Sequence, residues 1–359
     1  MKKKTEIILA TDIWHRKTVN TPTEEQVNWI YLGENAINAS LIGKKLPNSW
    51  LRISIAQTLQ QTAIDNHAEY VRFISGIAKN KDLEWWTSRV SEKNPFVSKS
   101  FLHICYLITT GQYIRQYAKD GKRILIIIED NDVFRSIVSN YGNNISVNKN
   151  GYSKTLSGLA NFFKIAKNKT KFVLVSAHHI ILTNYFHRKR NRNTKGTIMI
   201  VHTFANERSF DNEGRFKETY FGGMVEFLAR QKKQLRLLPR ILKSSIYGKT
   251  AKKLISGEGN ANVMLWYEYI TIADIFRSLI AEYGTRGNLT KKEKKFNGID
   301  ISAIIDRDEI DDMIENRRAS DRLLYFAIKR MAKKGLRISE FLYTYENQCW
   351  EKILISALR

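Results

Sequence analysis

The stretch RILIIIED, residues 123–130, decides the fold class of this chain. Five consecutive isoleucine and leucine residues form its centre, with no polar residue between them. Such a run without alternation is typical of a parallel strand that helices bury on both faces. Asp130 or Asn131 then offers an N-cap for a following helix. We therefore predict an α/β fold in which this stretch is a central strand of a doubly wound sheet.

Strand-like and helix-like segments alternate along the rest of the chain. Short apolar and β-branched runs predict strands, whereas apolar residues with a period near 3.6 predict helices. The predicted strands lie at residues 6–13, 28–32, 123–129, 197–204, 235–239 and 341–345. The clearest predicted helices lie at residues 54–79, 101–119, 131–140, 155–168, 217–232, 264–283, 316–334 and 349–358. This alternation indicates βα units, a parallel sheet and many helices.

The chain carries a large excess of positive charge. It has 59 Lys and Arg residues against 35 Asp and Glu residues, which gives a formal net charge of +24 over 359 residues. Such a charge predicts an anionic partner, which is nucleic acid, an anionic membrane surface or a phosphate-bearing small molecule. Two basic segments, residues 187–196 and 285–298, are predicted to be solvated loops.

The cysteine content and the apolar runs indicate a cytoplasmic protein. Cys105 and Cys349 are far apart in the sequence, so no disulfide framework is expected. The longest apolar runs fall short of the roughly 20 residues that a spanning helix needs. The apolar start of the chain contains Asp12 and lacks a small-residue cleavage site, which favours a first strand over a signal peptide.

A polar segment follows the predicted strand at residues 197–204, where ligands of parallel α/β sheets usually bind. The candidate substrate-binding residues there are His202, Arg208, Asp211, Arg215 and Tyr220. The two arginines are suited to hold a phosphate or a carboxylate through paired hydrogen bonds. The alternative is a solvated loop whose charges pair with one another.

A second polar segment, YENQCWEK at residues 345–352, lies at a predicted strand-to-helix turn. Glu346, Asn347 and Gln348 fall where the positive end of a helix favours an anion, and Glu351 follows in the first turn. The alternative for these carboxylates is simple helix capping. Trp350 lies on the apolar face of the closing helix, so we expect it in the core.

We expect neither a metal ion nor a cofactor. His178 and His179 are adjacent and therefore point to different faces of a helix, and no carboxylate lies at ligand spacing from them. The chain also lacks a Walker loop, a GxSxG sequence and a GxGxxG sequence.

Several segments, taken in order, resemble the surface carbohydrate biosynthesis proteins that are tied to bacterial O-antigen and capsule assembly. The similar segments are WLRISIAQTL, HAEYVRFISGIA, EWWTSRVSEKNPFVSKSFLHICYL, RILIIIED, FDNEGRFKETYFGGMVEFLARQ, LWYEYITIADIFRSLI and YENQCWEKILISALR. The resemblance runs over most of residues 50–359 and rests on a pattern of residues, not on a catalytic signature.

The resemblance implies a GT-B glycosyltransferase, in which two Rossmann-like domains bind the acceptor mostly on the first and the nucleotide sugar mostly on the second. Residues 1–240 would then form the Rossmann-like, acceptor-side domain. Residues 241–359 would form a helical region that leads into the inter-domain cleft or begins a second Rossmann-like domain. Relatives of this family are longer, so the second half is expected to be absent or reduced.

The resemblance also implies a reaction. A sugar would pass from a nucleotide sugar to a polyprenyl-diphosphate-linked acceptor, at the inner face of the cytoplasmic membrane, where the basic surface meets anionic lipid. Glu346 or Glu351 would act as the catalytic base or contact the sugar, and Arg208 or Arg215 would bind phosphate.

Two alternatives stay open. The charge also fits a basic nucleic-acid-binding protein, although the chain carries no recognisable reader motif. A non-catalytic partner subunit of a glycosyltransferase is the other alternative.

Overall fold

The computed structural model describes residues 5–11, 26–77, 83–92, 97–147, 154–187, 196–231, 234–241, 244–257, 262–284, 294–346 and 348–359. Its strands are β1 (Thr5–Leu9), β2 (Asn28–Leu32), β3 (Leu51–Arg52), β4 (Ile124–Ile128), β5 (Ile145–Val147), β6 (Gly196–Ala205), β7 (Leu235–Ile241), β8 (Lys295–Phe296), β9 (Ile299–Asp300) and β10 (Leu336–Leu342). Its α-helices are α1 (Ala36–Gly43), α2 (Ala56–Gly76), α3 (Leu83–Trp86), α4 (Ser100–Lys119), α5 (Asn131–Tyr141), α6 (Lys154–His187), α7 (Met224–Arg230), α8 (Tyr247–Ser256), α9 (Ile272–Gly284), α10 (Ser302–Glu315), α11 (Arg317–Lys333) and α12 (Cys349–Leu358). Most of the two predicted basic loops, residues 187–196 and 285–298, lies outside the described residues.

The chain folds into two compact units, and each is built from several separate segments. The first unit comprises Met1–Asn80, Arg89–Asn161 and Gly287–Asp311, and the second comprises Lys81–Ser88, Phe162–Arg286 and Asp312–Arg359. The predicted boundary between residues 240 and 241 does not match this division. It falls inside β7, which pairs with β6 in one sheet, and a boundary cannot cut a paired strand.

The first unit is built on a five-stranded sheet with the order β3-β2-β4-β1-β5, in which all the pairs are parallel. Strand β4 occupies the centre, and its five residues, Ile124 to Ile128, are buried. The prediction of an α/β fold with a parallel sheet and many helices, and with residues 123–129 as a central strand, is confirmed. In the usual Rossmann order the first strand lies beside the second, whereas here β4 lies between β1 and β2.

Helices cover this sheet on both sides. Ala39 and Ile42 of α1 share a core with Trp29, Tyr31 and alternate residues of β1 and β4. Helices α4 and α5 contact β1 and β4. Because crossover connections between parallel strands are right-handed, connections that run in opposite directions across a sheet place their helices on opposite faces. The first unit is therefore doubly wound, as the apolar run predicts.

The second unit has a smaller sheet with the order β10-β6-β7, again with parallel pairs only. Its central strand β6 buries four successive residues, Ile198 to Val201, which explains why this segment reads as a continuous apolar run. Helices α8, α11 and α12 contribute much of the core around the sheet, including Leu254, Leu323 and Leu354.

The imidazole of His202, on β6, lies deep in this second core. Its ring is 3% exposed and stacks on Trp350 of α12, with the ring centroids 4.8 Å apart. Nδ1 of His202 is buried and has no hydrogen-bond partner among the described residues. Burial, and then the nearby Arg240 guanidinium, lower the pKa of His202 to about 3. The ring is therefore neutral in the folded protein, and the expectation that Trp350 is a core residue is confirmed.

None of the described helices combines the length and the apolar character that crossing a bilayer requires.

The buried neutral His202 predicts a loss of stability in mild acid. The unfolded chain binds a proton at this position below its ordinary pKa of about 6.5, whereas the folded chain does not until about pH 3. His202 should therefore remove about 2 kcal/mol of the free energy of unfolding between pH 7 and pH 5. His202→Phe keeps an aromatic ring against Trp350 and should reduce that loss by this amount. Urea unfolding of both proteins at the two pH values measures it, and parallel pH profiles would contradict the assignment.

Candidate functional site

A cavity of about 540 Å³ opens at the carboxyl end of the three-stranded sheet in the second unit. Phe204 at the end of β6 and Arg240 and Ile241 at the end of β7 line it, as do Glu346 and Gln348 from the segment after β10. Polar side chains are tolerated at this edge because the strands have ended and no longer bury both faces. Ligands of parallel α/β sheets bind at this edge, and the volume is within the range of small-molecule sites.

Among the described residues that line the cavity, Arg240 supplies the positive charge. Its side chain is partly buried, and among the described residues it makes neither an ion pair nor a hydrogen bond. A charge that is withdrawn from water without a partner is costly, so this guanidinium is suited to an anion that enters from outside. Its fork of donors matches the geometry of a phosphate group.

Aromatic rings form one wall of the cavity. Tyr247 of α8 stacks on His179 of α6 with the ring centroids 3.6 Å apart, and Tyr267 meets both rings edge-on. Trp266 lies beside Tyr267 at 4.3 Å and is only partly buried. The hydroxyl of Tyr247 is held 2.7 Å from Oγ1 of Thr183, which fixes the ring. Tyr247, Tyr267 and His179 are buried, so they form a rigid support, and Trp266 is the ring of this wall with exposed surface for a flat ligand ring.

His179 and Ser244 form a pair within the same cavity. Nε2 of His179 is 3.2 Å from Oγ of Ser244. Burial, and then the neighbouring His178, lower the pKa of His179 to about 4, so the ring is neutral at pH 7. Nδ1 of His179 is buried without a partner among the described residues, so no carboxylate orients the ring. The pair can exchange a proton with a bound hydroxyl group, but it lacks the third member of a nucleophilic triad.

The segment after β10 is fixed by Glu351. This carboxylate is buried, and its Oε1 accepts hydrogen bonds from the backbone N–H groups of Glu346 at 2.7 Å and Gln348 at 3.1 Å. Glu351 therefore caps helix α12 and holds the segment beside the cavity. It does not line the cavity, so the geometry gives no support to its predicted catalytic role.

Glu346 and Gln348 do line the cavity, as the sequence suggests. Oε2 of Glu346 accepts a hydrogen bond of 2.8 Å from Nε2 of Gln348. The pair presents carboxylate and amide oxygens, which can accept hydrogen bonds from ligand hydroxyl groups. Asn347, the third predicted residue of this segment, lies outside the described residues.

Arg208, Asp211 and Arg215 lie in an exposed turn and do not reach the cavity. Nε of Arg215 is 2.9 Å from Oδ2 of Asp211, and its Nη2 is 2.5 Å from Oε2 of Glu213. Hydrogen bonds from the Arg215 side chain and backbone lower the pKa of Asp211. The charges of Arg215, Asp211 and Glu213 therefore satisfy one another, which is the solvated-loop alternative for this part of the segment. Neither arginine lines the cavity described above, so their phosphate-binding role stays a prediction.

Tyr220, from the same polar segment, does line the cavity. Its backbone N–H and that of Phe221 donate to the buried carboxylate of Glu218, at 2.6 Å and 2.8 Å. Glu218 also accepts a hydrogen bond of 2.7 Å from Oγ1 of Thr203 on β6. This carboxylate ties the loop to the end of the strand, so it positions Tyr220.

His202, the remaining predicted residue, lies beneath the site. It is absent from the lining of the large cavity and borders a void of about 10 Å³ with Arg240, Trp266 and Ser320. Its neutral ring supports the packing under Arg240 and does not meet a ligand in the large cavity.

The first unit has a cavity of its own, of about 340 Å³, at the carboxyl ends of β2 and β4. The chain leaves β2 toward one edge of the sheet and leaves β4 toward the other, so these neighbours form the topological switch point where ligands usually bind. Oε2 of Glu129 accepts hydrogen bonds from the backbone N–H groups of Glu34 and Asn35, at 2.9 Å and 3.3 Å. A Cβ atom on Gly33 would lie 2.2 Å from that oxygen, so only glycine permits this approach.

The charges of this first cavity are mostly negative. Glu34, Glu129 and Asp130 line it, and Lys99 pairs with Glu34 at 2.8 Å. Nδ1 of His103 is 2.6 Å from a guanidinium nitrogen of Arg307, which therefore donates to it. Burial, and then Arg307, lower the pKa of His103 to about 4, so the ring is neutral. Asp130, which the sequence predicts as a helix N-cap, also accepts hydrogen bonds from the backbone N–H groups of Asp132 and Val133.

Among the described residues, no group of three or more His, Cys, Asp or Glu side chains is arranged to hold a metal ion. Comparison of the chain with protein-family models, with curated proteins and with solved structures found no match.

Proposed function

We propose that the protein is a glycosyltransferase that binds a nucleotide sugar in the cavity of its second unit. The observation that carries the proposal is Arg240, a partly buried guanidinium without an ion-pair partner among the described residues, in a cavity at the carboxyl edge of a parallel sheet. A diphosphate group is the kind of anion that such a guanidinium binds, through charge-assisted hydrogen bonds.

The rest of the cavity suits the other parts of a nucleotide sugar. Trp266, the partly exposed ring of the aromatic wall, offers a face on which a base or a sugar ring can stack, and the buried rings of Tyr247 and Tyr267 support it from behind. Glu346 and Gln348 can accept hydrogen bonds from sugar hydroxyl groups. A nucleotide sugar therefore accounts for Arg240, for the aromatic wall and for Glu346.

Glu346 is the candidate general base. A carboxylate that lines the cavity can accept the proton of an attacking hydroxyl group as the bond to the sugar forms. Arg240 would stabilise the negative charge that grows on the departing diphosphate. His179, neutral and paired with Ser244, is a second group that can accept a proton in the same cavity.

The cavity of the first unit is the candidate site for the sugar part of a lipid-linked acceptor. Its carboxylates, Glu34, Glu129 and Asp130, can accept hydrogen bonds from groups that donate them, and Lys99 and Arg307 pair with Glu34 and Asp130. Hydroxyl groups of a saccharide are donors of this kind. The rival predictions from the sequence, a nucleic-acid-binding protein and a non-catalytic partner subunit, have no comparable support from the described residues.

Arg240 and Arg215 provide a matched pair of substitutions. Arg240→Gln should weaken the binding of a nucleoside diphosphate by about 10-fold to 100-fold, because it removes a charge-assisted contact worth about 1.5–3 kcal/mol. Arg215→Gln removes the same charge from the exposed turn and should leave affinity within about twofold. Calorimetric titration with UDP, GDP and TDP measures both variants. An equal effect of the two substitutions would contradict the role of Arg240, and failure of the wild-type chain to bind any of the nucleotides would refute the proposed function.

Substitutions of Glu346 and Glu351 distinguish a catalytic role from a helix-capping role. Glu346→Gln should lower sugar transfer, or hydrolysis of the bound nucleotide sugar, by at least about 100-fold, since it removes the base. The unfolding free energy should change by less than about 1 kcal/mol, because the side chain is exposed. Glu351→Gln keeps an acceptor oxygen for the capped N–H groups and should retain most activity, whereas Glu351→Ala should lower stability by about 0.5–2 kcal/mol. Full activity of Glu346→Gln would exclude it as the base.

A further inference from the structure

Helix α6 has an unusual composition for a surface helix. Its 34 residues, Lys154–His187, include no Asp and no Glu. Three of its lysines, Lys164, Lys167 and Lys171, are exposed. The helix therefore presents positive charge to solvent with no acidic residue of its own to balance it.

Large apolar side chains are exposed on the same helix. The exposed fractions are 68% for Phe163, 65% for Leu174, 63% for Ile181 and 58% for Tyr185. The steps between these residues, 11, 7 and 4, are each close to a whole number of helical turns, so all four lie on one face. Lys167 and Lys171 lie on or beside that face by the same geometry. The stripe runs for about 33 Å, at about 1.5 Å per residue.

The opposite face of α6 belongs to the core of the second unit. Ser176, His179, Ile180 and Thr183 are buried there, and Lys169 forms a buried ion pair with Glu282 of α9. The helix is thus held in the fold by one face, and its apolar stripe cannot turn inward. A stripe of this size that is left in water marks a surface for a partner.

Charge and chemistry identify the partner. A second copy of this helix would bring lysines against lysines with no acidic residue to pair with them. Nucleic acid would attract the lysines, but Leu174 and Ile181 gain nothing from stacked bases. An anionic bilayer accounts for both the exposed lysines and the exposed apolar stripe. Its headgroup charges attract lysine, and the apolar side chains enter the boundary of the acyl region.

We propose that the exposed face of α6, with Phe163, Leu174, Ile181 and Tyr185 between exposed lysines, docks onto an anionic lipid surface. The helix lies flat on that surface and does not cross it. The docking goes beyond the proposed function, because it concerns a face of the helix and does not depend on what the cavity binds. It also differs from attraction by net charge alone, since the apolar side chains add a component that salt does not screen.

Sedimentation of the full chain with lipid vesicles tests the docking. Wild-type protein should bind vesicles of phosphatidylcholine with phosphatidylglycerol, and should bind vesicles of phosphatidylcholine alone at least about 10-fold more weakly. A measurable fraction of the protein should stay bound to the anionic vesicles in high salt. Leu174→Ser with Ile181→Ser should abolish the salt-resistant fraction. Replacement of Lys164, Lys167 and Lys171 by Gln should lower binding at physiological salt by at least about 10-fold, because anionic headgroups attract exposed lysines.

Matched control variants come from exposed positions of the first unit. Ile37→Ser with Ile64→Ser removes two apolar side chains that are 73% and 63% exposed. Replacement of Lys44, Lys119 and Lys122 by Gln removes three exposed charges. Both controls should bind vesicles within about twofold of the wild type. Equal losses in the controls, or wild-type binding by the α6 variants, would overturn the assignment of this face.

Two further readouts complete the test. Circular dichroism melts and nucleoside diphosphate titrations of each variant should match the wild type, so a loss of vesicle binding cannot come from unfolding or from the cavity. Analytical ultracentrifugation without lipid should show no dimer that the α6 substitutions disrupt. Such a dimer would show that a second copy covers the stripe and would refute the lipid assignment.

Discussion

Parallel strands impose the constraint on which the second unit depends. Each connection between parallel strands must carry the chain back to the edge where the previous strand began, so every strand ends at the same edge. In the sheet β10-β6-β7 this rule brings Phe204, Arg240 and the segment that contains Glu346 around one cavity, although they are far apart in sequence. The apolar strands fix the sheet, and the residues just beyond their ends are free to carry chemistry.

Two polar groups in or beside the strand interiors lie at or under the cavity and lower the stability of the fold. His202 occupies a core position in β6 and leaves a buried ring nitrogen without a partner among the described residues, while Arg240 beside it keeps a charge that no described carboxylate balances. A core chosen for stability alone would not place these two groups together. Natural sequences break local rules of this kind mainly at functional sites, so the pair points to the same edge of the sheet as the cavity does.

Much of the fold follows from patterns in the sequence, and the exceptions have physical causes. Strand β2 and helix α12 lie at the predicted residues, and β4 differs from its prediction by one residue at each end. Helix α6 extends to His187, well beyond the predicted end at residue 168, because its second half is rich in Val and Ile and gives no clear helical period. The final strand is β10 at Leu336–Leu342 and not residues 341–345, since the aromatic residues after it belong to the loop that approaches the cavity.

The sequence predicts only some of the residues that line the cavity. Tyr220, Glu346 and Gln348, which the sequence predicts as site residues because they lie in polar segments after strands, line the cavity. Arg240 is absent from the predicted site because the predicted strand ends at residue 239, and His179 is absent because its partner Ser244 is distant in the sequence. The sequence predicts Glu351 as a site residue, whereas in the structure it caps helix α12. A carboxylate near a helix start has the same sequence pattern in both roles, so the sequence alone does not distinguish them.

The division into interleaved segments has a consequence for the synthesis of the chain. Ser98 and Ser100 both donate hydrogen bonds to the buried carboxylate of Asp308, so the first unit is completed by a segment that lies after most of the second unit in sequence. A ribosome delivers the five strands of the first sheet by residue 147, yet Asp308 emerges about 160 residues later, roughly 8–30 s at 5–20 residues per second. During that interval the nascent first unit must remain unfinished, which makes it a natural substrate for chaperones that shield exposed apolar surface.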